Sequence, residues 1–144
     1  MTSKLYRPEN WSASPLESDS AQLVGGRCAR CGNVYFPRSN VCPGCGSREP
    51  MAQVLLSRVG KLYSYSVIHV GAPGFKAPYA VGYVDLPDGP RVFGHVDGWE
   101  DGPIPLDSSV DIYAGPIGKD REGEELISVR FRPLPSGQVS RGGT

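Results

Sequence analysis

Four cysteines in one short segment carry the clearest chemistry in this 144-residue chain. They form two Cys-x-x-Cys pairs, each followed by glycine, namely Cys28-Ala-Arg-Cys31-Gly and Cys42-Pro-Gly-Cys45-Gly. Two cysteines separated by two residues can turn both sulfur atoms toward one ion, and the glycine relaxes the backbone at the tight turn. Two such pairs supply the four thiolates of a tetrahedral site. The spacing therefore predicts one metal ion bound by all four cysteines.

Other chemistry is possible for the same four cysteines. Cys-x-x-Cys pairs also catalyse thiol exchange, but two pairs that close a four-thiolate site leave no open position for a substrate. Four thiolates also suit iron, so a rubredoxin-like electron carrier stays an alternative. We expect one structural Zn²⁺ per chain, because a segment of this size cannot bury enough apolar surface to fold without metal.

Charge and hydropathy limit the partners that the chain can have. Its 15 basic and 15 acidic residues cancel formally, whereas nucleic-acid-binding proteins usually carry an excess of Lys and Arg. No apolar run approaches the roughly 20 residues of a membrane helix. Residues 1–10 lack the pattern of a secretory signal. We therefore expect a cytoplasmic protein that binds neither membranes nor nucleic acid.

Glycine and proline divide the chain after residue 50 into short β-branched and aromatic runs. Short runs at this spacing, with no helical pattern between them, predict a small closed all-β domain. A five-stranded OB-type barrel fits the length. The predicted strands lie near 53–59, 61–70, 79–86, 91–97, 109–114 and 125–132, and Gly115 to Gly123 is predicted to be a turn.

The first half of the chain supplies the remaining elements. Ser14 followed by Pro15 is a helix start signal, which predicts a short helix to about Leu23. Val34 to Phe36, between the two cysteine pairs, predicts a strand of a narrow hairpin. The predicted fold is mainly β, with a short N-terminal helix. Its parts are an N-terminal segment at 1–24, a zinc ribbon at 25–50, an OB-fold at 51–132 and a flexible tail at 133–144.

Further motifs accompany the cysteines in a fixed order. They are Tyr35-Phe36-Pro37-Arg38, then Gly60-Lys-Leu-Tyr-Ser-Tyr-Ser-Val67, then a Pro-Gly-Phe loop ending in Pro78-Tyr79, and Gly89–Gly94 in a strand. Over residues 20–132 this order resembles a family of acyl-CoA-associated proteins that join a rubredoxin-like zinc ribbon to an OB-fold. One departure is the N-terminal helix, which is apolar and aromatic in the family but reads Leu16-Glu-Ser-Asp-Ser20 here.

The resemblance implies a non-catalytic accessory subunit of an enzyme that acts on acyl-CoA thioesters. The implied partner is a thiolase-like protein, with an aldolase-like or a hydratase-like protein as the other possibilities. The accessory chain would assemble the complex and shape its substrate pocket, and CoA thioesters would be bound only through the partner enzyme.

No catalytic set of its own is evident from the residues. Thiolase chemistry needs a cysteine nucleophile with a base, and the metal accounts for every cysteine. The two histidines, His69 and His95, are expected to be partly buried strand residues, or else polar groups offered to a neighbouring active site. By alternation His69 shares a strand face with Tyr63 and Tyr65. We therefore expect no catalytic residue in this chain.

An accessory subunit should present aromatic and apolar side chains to its partner. The loop from Gly71 to Pro78 exposes Phe75 and Lys76 between glycines and prolines. It is either an ordinary connection or a stiff lip over the partner's channel, with Lys76 near a CoA phosphate. The candidate residues for partner or CoA contact are Tyr35, Phe36, Phe75, Lys76 and Tyr79.

A nucleic-acid-binding protein is the main alternative to an accessory subunit. OB barrels commonly bind single strands by stacking bases on aromatic side chains among basic residues. Tyr63, Tyr65, Tyr83 and Phe93 could supply the rings. Few basic residues are interleaved with them, so the accessory subunit is the favoured interpretation.

Overall fold

The computed structural model describes residues 3–12 and 21–134, which are almost entirely β-structure. Two short 3-10 helices, at Pro8–Asn10 and Trp99–Asp101, are the helices among these residues, and neither is long and apolar enough to cross a membrane. The strands are β1 (Ser3–Leu5), β2 (Val24–Arg27), β3 (Val34–Tyr35), β4 (Ala52–Leu55), β5 (Val59–Ile68), β6 (Tyr79–Asp85), β7 (Arg91–Val96), β8 (Ser109–Lys119) and β9 (Glu125–Pro133).

Strands β5 to β9 close into a five-stranded barrel. Antiparallel pairs join β5 to β6, β6 to β7, β8 to β9 and β5 to β8, and a parallel pair joins β7 to β9. The order β5-β6-β7-β9-β8, with its parallel third and fifth strands, is that of an OB barrel, as predicted. Strand β1 adds to the outside of β9 in parallel.

The barrel core follows from alternation along the strands, because successive side chains point to opposite faces. Leu62 of β5, Val84 of β6, Val92 of β7, Val110 of β8 and Phe131 of β9 have no exposed surface. They belong to one continuous cluster that also receives Trp11 and Leu23 from the N-terminal part. The strands thus close a hydrophobic core inside the barrel, which fixes the outer face on which functional residues can lie.

The cysteine segment is connected to a second sheet, which has three strands in the order β3-β2-β4. Strand β4 pairs with β2, although its residues fall in the range assigned above to the OB-fold. The residue after β4, Leu56, donates its N–H to the carbonyl of Leu23 and is fully buried in the barrel core. Phe36, after β3, packs against the same core. Ribbon and barrel therefore share one apolar cluster.

The predicted N-terminal helix is not confirmed. Residues 13–20, which make up most of it, lie outside the described residues. Its last residues are extended, because Leu23 pairs with Trp11 in an antiparallel bridge and the N–H of Ser12 donates to the carbonyl of Gln22. This pairing buries both apolar side chains against the barrel. The tail beyond residue 134 also lies outside the described residues.

The prediction of a turn from Gly115 to Gly123 was wrong for its first half. Strand β8 continues to Lys119 and pairs with β9, with Pro116 opposite Ile127. A register shift between Pro116 and Gly118 accommodates the proline, so these two residues mark a bulge inside a strand. The turn itself covers 120–124, where the Asp120 carboxylate accepts the N–H groups of Glu122 and Glu124.

A second bulge changes the predicted faces of β5. The pairing register with β6 shifts between Leu62 and Ser64, which reverses the side-chain alternation at that point. Tyr63 is consequently exposed, whereas Tyr65 packs against the core and its hydroxyl accepts the N–H of Ile104 at 2.9 Å. His69 lies exposed beyond the end of the strand. The prediction that these residues share one face was wrong.

Truncation of the central core side chain, Phe131→Ala, should lower the free energy of unfolding by about 3–5 kcal/mol, because it leaves a cavity in a closed barrel. Phe93→Ala on β7, where the ring is half exposed, should cost about 1 kcal/mol or less. Denaturant unfolding followed by circular dichroism measures both. Equal losses for the two variants would contradict the assigned core.

Candidate functional site

The two cysteine pairs form the same local structure twice. In the first, the N–H of Cys31 points to the Cys28 sulfur at 3.5 Å and the N–H of Gly32 donates to the Cys28 carbonyl at 2.9 Å. The second repeats both contacts with the equivalent residues, at 3.5 Å and 2.9 Å. Both glycines, Gly32 and Gly46, have φ near +80°, where an L side chain is strained. This explains the glycine after each pair.

Each Cys-x-x-Cys turn is a knuckle, and the two knuckles bring the four sulfur atoms together. All four lie within 4.8 Å of one another, and the contacts Cys28–Cys45 and Cys31–Cys42 are both 3.6 Å. A tetrahedral site with metal–sulfur distances of about 2.3 Å requires sulfur–sulfur distances of about 3.8 Å. The cysteines are therefore positioned to bind a metal ion, as the sequence predicted. Cys28 and Cys42 are buried, whereas Cys31 and Cys45 reach the surface.

The surroundings of the thiols shift their pKa values in opposite directions. Burial disfavours the Cys42 thiolate, but the N–H of Cys45 and the Tyr35 hydroxyl outweigh it and lower the pKa of Cys42 to about 6. The N–H of Ser47 favours the Cys45 thiolate, yet Cys28, burial and the other thiols raise the pKa of Cys45 to about 11. A cation at the centre would favour the ionised form of every cysteine, since it stabilises all four thiolates at once.

Tyr35 covers one side of the cysteine cluster. Its hydroxyl lies 4.0 Å from the Cys31 sulfur and 3.5 Å from the side-chain amide of Asn33. The ring also lies over Gly44, where a Cβ atom would collide with the tyrosine hydroxyl. Tyr35 is thus part of the metal centre's wall, and only the part of its ring that remains exposed is open to a partner.

A second site lies where the Gly71–Pro78 loop meets the barrel. The carbonyl of Gly74 accepts the N–H of Lys119 at 2.9 Å, which fastens the loop to the end of β8. Phe75 and Tyr79 then contact each other, with ring centroids 6.0 Å apart. Both stack on His95 of β7, at 6.0 and 5.3 Å. The loop is therefore held against the barrel by an aromatic cluster of three rings.

Beside this cluster is an open cleft of about 470 Å³. Lys76 and Lys119 are exposed at its rim, and Arg130 is half-buried in its wall. Glu125 is the acidic residue among those that line it. We call this place the loop cleft. Its rings and cations suit a ligand that combines an apolar or aromatic part with negative charge.

Arg130 is held in place from two sides. Its guanidinium donates to the Asp97 carboxylate at 2.6 and 2.9 Å and to the Pro116 carbonyl at 2.6 Å. Asp97 also accepts a short hydrogen bond from the Tyr113 hydroxyl. Burial and this carboxylate raise the pKa of Tyr113. The network holds Arg130 in the wall of the loop cleft. The exposed side chains of Lys76 and Lys119 are the cations of the cleft that can adjust to a ligand.

The protonation of His95 follows from its surroundings. The residue is buried, at 7% exposure, between the rings of the loop cleft. Burial, and then the positive charge of Arg130, lower the pKa of His95 to about 4, although Asp97 opposes the shift. The imidazole is therefore neutral at physiological pH. This fits the expected partly buried strand histidine better than a proton-transfer group.

The structure separates the five predicted contact residues into two groups. Lys76 and Tyr79 line the loop cleft, and Phe75 packs on Tyr79 beside it. Tyr35 and Phe36 belong to the ribbon. Sequence reasoning missed the other members of the cleft, Lys119 and Arg130. Each lies on a distant strand, and the pairing of Arg130 with His95 across β7 and β9 could have been found only from the strand order.

Comparison with known proteins decides the family. The profile of the ChsH2 rubredoxin-like zinc ribbon domain matches residues 21–50, and that of the ChsH2 C-terminal OB-fold domain matches residues 53–114. The chain belongs to the ChsH2 family. This confirms the resemblance inferred from the sequence motifs, and the two matched ranges correspond to the ribbon and to most of the barrel of this ChsH2-family chain.

The relatives of this ChsH2-family chain have names that bear on function. The benzoylsuccinyl-CoA thiolase subunit BbsA of Thauera aromatica is 39% identical over 84% of this chain and 83% of its own length. A DUF35 domain-containing scaffold protein of Methanocaldococcus jannaschii is 32% identical over 78% of this chain and 82% of its own. A solved structure described as an Ltp2-ChsH2(DUF35) aldolase matches with a TM-score of 0.62 and 33% identity, over 78% and 84% of the two chains.

The buried neutral His95 makes stability sensitive to acid. Because the pKa is about 4 in the folded chain and about 6.5 when unfolded, the unfolded state binds the proton first as pH falls. Folded-state stability should drop between pH 6.5 and pH 4, by up to about 3 kcal/mol. His95→Gln should remove this part of the pH dependence. Denaturant titrations of both proteins across this range measure it, and identical slopes would contradict the burial of a neutral imidazole.

Proposed function

We propose that this chain is a non-catalytic accessory subunit of an enzyme complex that acts on acyl-CoA thioesters. The observation that carries the proposal is the 39% identity, over 84% of the chain, to a protein named as a thiolase subunit. The scaffold name of the archaeal relative supports the same role. The chain would assemble the complex and complete the substrate pocket of its partner.

The chemistry of the chain agrees with a supporting role. Thiolysis of a CoA thioester proceeds through a cysteine nucleophile activated by a base, and all four cysteines of the chain lie in the metal cluster. The buried imidazole of His95 has a pKa of about 4, too low for a base that must hold a proton near neutral pH. The nucleophile and the base are therefore assigned to the partner.

The metal of the ribbon is proposed to be one structural Zn²⁺, bound by Cys28, Cys31, Cys42 and Cys45. Four thiolates fill a tetrahedral shell and leave no position for substrate, which is typical of structural zinc. An iron site with the same ligands would make the chain an electron carrier. The match to a zinc ribbon domain favours zinc.

A thiolase-like protein is the partner we favour. The Thauera aromatica relative, named as a thiolase subunit, matches this chain over most of both lengths. An aldolase-like partner is the alternative, supported by the aldolase named in the solved structure. The loop cleft is proposed to face the partner's CoA channel, with Lys76 and Lys119 near CoA phosphates and with Phe75 and Tyr79 against the ligand's apolar part. Tyr35 and Phe36 are proposed as secondary contacts from the ribbon.

The purified chain should contain one equivalent of zinc and show no visible absorption. Metal analysis of protein never exposed to chelator measures the first, and an absorption spectrum the second. Cys42→Ser should lose the metal, because three thiolates bind it far less well, whereas Ser47→Ala next to the second knuckle should retain it. Iron at stoichiometric level, or zinc far below one equivalent, would contradict the proposal.

The chain alone should not turn over acyl-CoA substrates, whereas its complex with the thiolase-type subunit should. The assay follows release or consumption of CoA by the chain, by the enzyme subunit and by their mixture. A mixture no more active than the enzyme subunit alone, or thiolysis by the chain free of contaminating enzyme, would overturn the accessory role.

In the complex, Lys76→Ala should raise the KM for the CoA thioester up to about fivefold, as expected when one solvated charge–phosphate contact is lost. Phe75→Ala should lower kcat/KM without dissociating the complex. Arg48→Ala, which removes an exposed cation of the ribbon, is the matched control and should leave both constants unchanged. If the two loop variants behave like the control, the loop is only a connection between strands.

A further inference from the structure

Three aromatic side chains lie exposed on the outer face of the barrel. Tyr63 of β5, Tyr83 of β6 and Phe93 of β7 keep 49%, 44% and 51% of their surface accessible. Tyr83 pairs directly with Phe93, with ring centroids 5.3 Å apart, and Ser64, the neighbour of Tyr63, pairs with Tyr83. These residues follow one another across three strands, and we call them the aromatic row.

Arg91 holds one end of the aromatic row. Its guanidinium lies 3.5 Å above the centre of the Tyr63 ring and forms an ion pair with Asp85 at 2.6 Å. The row is therefore ordered by a cation–π contact before any partner binds, which lowers the entropy cost of docking. Asp85 neutralises this arginine, whereas Lys61, exposed on β5 between Val59 and Tyr63, adds one positive charge to the same face.

The apolar surface continues beyond the three rings. Val59, on the same face of β5, is 42% exposed. Leu106 is 59% exposed, and its neighbour Asp107 donates its N–H to the carbonyl of Leu62, the residue before Tyr63. The three half-exposed rings alone offer about 300 Å², given roughly 200 Å² for each aromatic side chain. A patch of this size on a soluble chain commonly marks a binding surface.

The aromatic row is continuous with the loop cleft. Tyr83 and Tyr79 lie on β6 four residues apart, and Phe93 and His95 lie on β7 two residues apart. At about 3.4 Å per residue, the row begins roughly 7–14 Å from the cleft on the same outer face. A protein that covers the cleft therefore reaches the aromatic row as well.

We propose that the acyl-CoA enzyme subunit docks on the aromatic row, with Tyr63, Tyr83 and Phe93 as the anchoring side chains. This inference rests on the proposed function. Two tyrosines, a phenylalanine and an arginine in one rigid patch have the composition of an interface hot spot. With Arg91 neutralised by Asp85 and Lys61 as an exposed cation, the row fits a largely apolar protein surface, whereas a single-stranded nucleic acid needs a series of unpaired cations along its phosphates.

The test is the affinity of the purified chain for the purified thiolase-type subunit of the same organism, measured by calorimetry. The double variant Tyr83→Ser/Phe93→Ser should raise Kd roughly 30-fold or more, as expected on loss of two hot-spot residues. The matched control is Tyr6→Ser. Tyr6 is 48% exposed and also lies under an arginine, at 5.4 Å, but on the N-terminal segment. This control should change Kd by less than about twofold.

A variant that fails to fold would be recognised by its melting temperature and zinc content. The docking surface is then tested by cross-linking from single positions in the otherwise wild-type chain. A photo-reactive phenylalanine analogue placed at position 63 should cross-link to the enzyme subunit, and one placed at position 6 should not.

An unchanged Kd for the folded double variant would overturn the docking surface and leave the accessory role intact. Cross-linking from position 63 to a second copy of the chain, or to an added single-stranded oligonucleotide instead of the enzyme, would also overturn it. If the wild-type chain binds no acyl-CoA enzyme subunit, the proposed function itself fails, and the docking surface fails with it.

Discussion

Four sulfur atoms within 4.8 Å of one another are the constraint on which the ribbon depends. Their surroundings lower the pKa of Cys42 and raise that of Cys45, so without a cation the four thiols do not ionise together near neutral pH. The rest of the ribbon offers little compensation, since β3 has two residues and the segment from 37 to 50 contains no strand. A metal ion bound by the four cysteines would supply free energy that orders this segment.

The barrel is built on a different principle. Its side chains Leu62, Val84, Val92 and Phe131 close a core without any metal. The two parts meet where Leu56 and Phe36 enter that core, so the cysteine segment is attached to a scaffold whose core is apolar. Such a construction presents surfaces on both parts, which is what the proposed accessory subunit would contribute to a complex.

Local patterns explain why much of this could be predicted from the sequence. Ligand spacing in a Cys-x-x-Cys pair is set by four neighbouring residues, and strand alternation by two, so the cysteine cluster and the strands of the barrel were predicted near their observed places. Non-local contacts explain the failures. Pro116 and Gly118 signal a turn to any local rule, yet pairing with the neighbouring strand β9 keeps them in a strand.

Pairing between strands also decides which side chains face outward on the barrel and which residues form the candidate site. A one-residue bulge after Leu62 turned Tyr65 inward and left Tyr63 outside, and no property of the two tyrosines distinguishes them in the sequence. The loop cleft joins Lys76 to Lys119 and Arg130, which both lie more than 40 positions after it in the chain. Only the closed strand order, with its parallel β7–β9 pair, brings them together.

Hydrogen–deuterium exchange before and after metal removal tests the central claim most directly. When a chelator strips the metal from the intact chain, amide protection in residues 24–55 should be lost, while β5 to β9 should exchange as slowly as before. Re-addition of Zn²⁺ should restore the protection. A ribbon that stays protected without metal, or a barrel that loses protection together with it, would contradict the account.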